Sequence, residues 1–167
     1  MRVIVNAISA NTGGIVTYTN NLIEFFATRE IDLIVYVPRW FDIERFAGMS
    51  VSVQIVKTRF YGAWHRFLWE QFVWRRIIKN SGADLVFSSA NYGVLFPPIP
   101  QMLLVQGEIY LNPIYRERVL PNLSWRERVS AILREKCSQM TCFPGCAVIG
   151  RTARFHRPGV CAQGREI

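Results

Sequence analysis

Short uninterrupted runs of apolar, β-branched residues alternate with amphipathic helical stretches over the first 136 residues. This alternation restricts the fold more than any other feature. Strands read as continuously apolar when both faces of a sheet are covered, which happens in parallel sheets flanked by helices. Arg2–Ile8, Ile31–Val37, Val51–Val56, Asp84–Phe87 and Gln101–Val105 are the expected strands. Between them, Ile15, Tyr18, Leu22 and Phe26 recur at helical spacing, with Val16, Ile23 and Phe25 widening the stripe. A short helical piece is expected around Asp42–Ala47. A long aromatic helix is expected from Ala63 to about Lys79, closed by Asn80-Ser81-Gly82. Ser124 with Glu127 forms a capping-box pattern for a helix reaching Lys136. The expected fold class is therefore α/β, with a parallel-sheet Rossmann-like domain over residues 1–136.

Residues 137–167 differ in character. All four cysteines, Cys137, Cys142, Cys146 and Cys161, fall there, among arginines and glycines without a clear helical or strand period. Their spacing does not match paired zinc ligands, so no metal site is expected. This segment reads as an atypical, poorly ordered tail, either of the kind a shifted reading frame or a terminated gene fragment leaves or a genuine disordered extension.

The chain carries a net charge of +8. Its basic residues are scattered or lie on expected helix faces, and no signature of nucleic-acid recognition accompanies them. No stretch approaches the ~18 apolar residues of a membrane span. The N-terminus reads as a first strand rather than a signal peptide, which makes a cytoplasmic location the expectation.

In doubly wound sheets, ligands bind beyond the C-terminal ends of the strands. Here those ends are Ser9–Gly14, Ser88–Asn91 and Gln106–Glu108, and small or polar residues gather at all three. Gly13 and Gly14 lie between the first strand and first helix. Two glycines there admit close backbone approach, and the helix N-terminus offers unpaired N–H groups to an anion. The same glycines also suit a tight turn with no ligand. No GxGxxG fingerprint is present.

Gly13-Gly14-Ile15-Val16-Thr17-Tyr18 with Leu22, Phe67-Leu68-Trp69-Glu70-Gln71, and Gly82-Ala83-Asp84-Leu85-Val86-Phe87-Ser88-Ser89-Ala90-Asn91 stand in an order and spacing that resembles family 4 glycosyltransferases. The resemblance covers Met1 to about Lys136, the N-terminal, acceptor-side Rossmann-like domain of that family. It implies a GT-B architecture and retaining transfer of a sugar from a nucleotide-sugar to a glycan or lipid-linked acceptor. It places Gly13 and Gly14 beside the donor's phosphates; Asn91, Gln106 and Glu108, at the other strand ends, are the candidate acceptor hydrogen-bonding residues by their own chemistry. It names no catalytic residue in this chain and implies no cofactor. In the family, the nucleotide is held mainly by a C-terminal domain. The resemblance thus makes this chain a truncated half, inactive and prone to self-association when alone.

Several residues depart from this pattern or carry plainer readings. The His-Asp pair common in relatives at the Gln106–Glu108 loop is absent. Glu127 and Glu135 mimic a paired-glutamate motif, yet sit about 12 Å apart on one expected helix, where i,i+4 pairing explains them. His65 reads as a surface or packing residue. Trp64, Phe67, Leu68, Trp69, Phe72, Val73 and Trp74 run most of the way round their helix, so it is deeply buried or meets a partner. Trp beside Arg suits an interface with a membrane, peripheral to its inner face. A non-catalytic sugar-, membrane- or protein-binding module is the alternative function.

Overall fold

The computed structural model describes residues 1–11, 13–89, 93–105, 114–141 and 146–150, with side chains excepted at 105, 134, 137–141 and 146–150. Strands β1 (Arg2–Asn6), β2 (Asp32–Pro38), β3 (Val51–Val56), β4 (Leu85–Ser88), β5 (Gln101–Val105) and β6 (Cys146–Gly150) form one sheet in the order β3-β2-β1-β4-β5-β6. Every pairing is parallel. This is a Rossmann-like sheet. Its strand order reverses between β1 and β4, the switch point at whose C-terminal side sheets of this kind bind ligands.

The two faces follow from side-chain alternation along each strand. Val3 and Val5 of β1, with Leu33, Val35 and Val37 of β2, pack under helix α1 (Gly14–Ala27) through Ile15, Val16, Leu22, Ile23 and Phe26. Ile4 of β1 and Val86 of β4 face the opposite layer. That layer is a continuous helical run: α2 (Ala63–Trp69), a π-helical stretch (Glu70–Trp74) and α3 (Arg75–Asn80). Phe67, Glu70, Trp74 and Ile78 are its buried residues. Trp74 is fully buried and meets Tyr36 edge-on at 4.9 Å. Truncating a buried tryptophan of this kind typically costs about 3–5 kcal/mol.

Both flanking helices run back from the C-terminal edge of the sheet to its N-terminal edge, as right-handed crossovers require. Each therefore presents its first turns beside the strand ends. After β5, a π-helical stretch (Tyr115–Val119) and a 3₁₀ turn (Leu120–Asn122) lead into α4 (Trp125–Thr141). The capping box is reciprocal: Glu127 N–H donates to Ser124 Oγ at 3.4 Å, and Ser124 N–H donates back to Glu127 Oε2 at 3.1 Å.

Three sequence expectations are corrected. The first strand ends at Asn6 rather than Ile8; Ala7 and Ile8 are buried in the turn that follows. The helix expected to stop at Lys136 continues to Thr141, and Cys146–Gly150 pairs along β5 from Gln101↔Cys146 to Val105↔Gly150. The 137–167 segment therefore supplies an edge strand. A parallel ladder needs only a short β-capable run, and Ala147-Val148-Ile149 provides one. Finally, Glu135 is not a surface residue: it is 5% exposed, and it pairs with Arg116 across 3.6 Å.

Candidate functional site

The C-terminal edge of the sheet gathers the polar residues. At its centre Asn6, the last residue of β1, is fully buried and stands beside Ser88 in register. Asn6 Oδ1 accepts the Ile8 N–H at 3.3 Å, fixing the turn out of the strand. Its Nδ2 donates to Glu70 Oε1 at 3.1 Å. Arg66, one turn earlier on the helix, donates Nε to the same oxygen at 3.0 Å.

Glu70 has no solvent exposure, and Oε2 has no hydrogen-bond partner among the described residues. Burial pushes its carboxyl above the ordinary range, against the opposing pull of the Arg66 charge and the Asn6 and Arg66 hydrogen bonds. Desolvation dominates because the charged form loses its hydration entirely. The π-helical stretch begins at Glu70, and such widened turns recur at functional positions. Here it coincides with the link from the helix to the strand end.

The neighbouring Gln71 fastens a different segment. It accepts the Leu95 N–H at 2.8 Å and donates to Gly93 O at 3.1 Å. Gln101, 2% exposed at the start of β5, accepts the Val94 N–H at 2.8 Å and donates to Val94 O at 3.1 Å. A side chain at position 93 would displace the Gln101 amide from its bonds to Val94, since a Cβ on Gly93 would lie 2.5 Å from Gln101 Oε1. Thus Trp69-Glu70-Gln71 ties one helix to both the β1 end and the segment after β4. Sequence reasoning picked out this motif but missed Asn6, Arg66 and Gln101. The buried spacing Phe67, Glu70, Trp74, Ile78 was the available signal.

Gly13 and Gly14 sit where expected, at the turn from β1 into α1. Gly13 has φ 66° and ψ −146°, a region open essentially to glycine alone. A Cβ at either position would meet nothing within 4 Å, so the loop borders open space. Among the described residues no side chain caps the helix N-terminus. Its first N–H groups are therefore left for solvent or an anion. Ser89 ties the end of β4 to that of β1, with both N–H and Oγ donating to Asn6 O at 3.1 and 2.9 Å. Asn91, Gln106 and Glu108 lie outside the described residues.

His65 is exposed, stacks on Tyr61 at 5.7 Å and accepts the Tyr61 N–H through Nδ1 at 3.4 Å. Its contacts are those of a packing residue. No described helix is long and apolar enough to cross a membrane. Comparison with protein-family models, with curated proteins and with solved structures finds no match.

Proposed function

We propose that this chain is the acceptor-side domain of a retaining GT-B-type glycosyltransferase, acting on a nucleotide-sugar and a glycan or lipid-linked acceptor. The observation that carries the reading is the Gly13-Gly14 turn, bordering open space at the uncapped N-terminus of α1 and at the C-terminal end of β1. A donor diphosphate approaching this turn meets backbone N–H groups, with nothing among the described residues within 4 Å of where a Cβ on either glycine would lie. The family resemblance of the three quoted motifs supports the same assignment. In this reading catalysis rests on orientation of the acceptor and stabilisation of the leaving diphosphate. Asn91, Gln106 and Glu108 are the proposed acceptor contacts, and the proposed location is cytoplasmic.

Calorimetry with UDP-glucose, GDP-mannose and inorganic pyrophosphate on the wild type and on Gly14→Trp tests this. Position 14 has room for a side chain, so the variant keeps its fold and obstructs only the approach to the turn. Binding in the wild type, weakened at least tenfold in the variant, is expected. Equal affinity in both refutes the assignment of the turn, as does a wild type that binds neither donor nor inorganic pyrophosphate, the part of the donor this domain would hold.

A second reading, peripheral membrane contact, has its own observation. Trp64, Leu68 and Phe72 form an exposed stripe on the outer side of the helical run, with Tyr61 and Phe96 also exposed. Between Arg45 and Ala83 the one acidic residue is the buried Glu70, while Lys57, Arg59, Arg75, Arg76 and Lys79 are exposed. Exposed aromatics among unopposed cations suit an anionic bilayer surface. Flotation with phosphatidylglycerol vesicles at low salt, lost at high salt, is the corresponding outcome; absence of flotation at low salt removes this reading.

A further inference from the structure

A second cleft, of about 220 Å³, opens at the ends of β1 and β2 beside the first turns of α1. Ala10, Val16 and Phe41 form its apolar part; Asn11, Asn20, Asp42, Arg45 and Trp40 complete it. Trp40 is 55% exposed although large and apolar. Asp42 Oδ1 accepts the Glu44 N–H at 3.2 Å, and its other oxygen has no partner among the described residues. The side-chain amides of Asn11 and Asn20 likewise have none among those residues, so they offer donors and acceptors together. Arg45 is held by Glu24, which leaves the Asp42 carboxylate as the charge of the lining with no ion-pair partner among the described residues.

We infer that this cleft binds a sugar ring through a vicinal diol. Adjacent hydroxyls each need a donor and an acceptor, which the carboxylate of Asp42 and the amides of Asn11 and Asn20 supply from the walls of one cleft. The C–H face of the ring needs an apolar plane, which an exposed indole provides. A phosphate alone fits poorly, because it would face Asp42. The volume admits a single ring. The hexose of a glycan and the ribose of a nucleotide share this chemistry, and the crevice beside a glycine turn and the end of β2 is open to both. The inference concerns binding alone and is independent of sugar transfer: a chain that binds without turnover leaves it standing.

The test is a ¹H–¹⁵N spectrum of the full chain, with the Trp40 indole signal assigned by its loss in Trp40→Phe. The probes are methyl α-D-glucopyranoside and adenosine, against tetrahydropyran-2-methanol and 2′,3′-dideoxyadenosine, which lack the diol. A saturable Trp40 shift with a diol-bearing ring, absent with its diol-less counterpart, is expected. A response to the glucoside assigns a hexose, and a response to adenosine assigns a ribose. Asp42→Asn keeps an acceptor for the Glu44 N–H while removing the charged oxygen, and should weaken binding at least tenfold. No Trp40 shift with either diol, equal shifts with the diol-less compounds, or unchanged affinity in Asp42→Asn overturns the inference.

Discussion

Removing the Glu70 carboxylate should destabilise the domain more than any surface substitution. Glu70 is fully buried and takes two hydrogen bonds on Oε1, from Asn6 and Arg66. Glu70→Ala leaves the mostly buried Arg66 guanidinium without its carboxylate and the Asn6 amide without its acceptor. Breaking a buried pair in this way costs about 3–5 kcal/mol. For a chain of 167 residues, at roughly 2–4 °C per kcal/mol, Tm falls by roughly 6–20 °C. Glu70→Gln keeps one acceptor oxygen and should cost less, about 1–3 kcal/mol.

The pH dependence separates charge from packing. Burial raises the Glu70 carboxyl above its ordinary value. The folded state therefore holds the proton more tightly than the unfolded state. The stability this contributes is complete below the ordinary carboxyl range and is lost as pH rises through the raised native value. The stability difference between wild type and Glu70→Gln should shrink over that window. Urea denaturation of the three proteins across acid to neutral pH reads both effects. A Glu70→Ala loss under about 1 kcal/mol at neutral pH, or a wild-type pH slope identical to that of Glu70→Gln, refutes the reasoning.

Gly13→Ala should cost about 1–3 kcal/mol because its backbone region excludes side chains, whereas Gly14→Ala, at an ordinary helical start with free space, should leave Tm unchanged; paired thermal melts check this. Gln101→Leu should cost about 1–3 kcal/mol by orphaning the buried Val94 N–H and C=O, and amide exchange at Val94 should accelerate while that of β1 holds. Ser124→Ala should return the Glu127 carboxyl, now lowered by the Ser124 hydroxyl and N–H, toward its ordinary value; an NMR titration of the Glu127 side chain reads the shift.

The parallel sheet was legible because apolar runs leave few alternatives. Val51–Val56 and Gln101–Val105 were read with their observed bounds. The first strand was read too long because Ala7 and Ile8 are as apolar as a strand and are equally buried, in a turn instead. The π-helical stretch had no visible sign, since Phe67, Trp74 and Ile78 satisfy an ordinary helical stripe to within one residue. β6 was missed because cysteine and glycine content outweighed the short run Ala147-Val148-Ile149. Of the site, the Gly13-Gly14 turn was legible from its place between strand and helix. Asn6 was not, because a polar residue ending an apolar run looks like the start of a loop. Trp40 and Asp42 meet Asn11 and Asn20 only through the sheet, and nothing in local spacing joins them.

The proposed handling of a nucleotide-sugar at the glycine turn is tested most directly by mapping backbone amide shifts during titration with UDP-glucose and with GDP-mannose. Saturable shifts centred on Gly13, Gly14 and Ile15, reproduced by inorganic pyrophosphate and absent in Gly14→Trp, are the expected result. Shifts that avoid this turn, or no shifts with either donor or with pyrophosphate, would contradict the account.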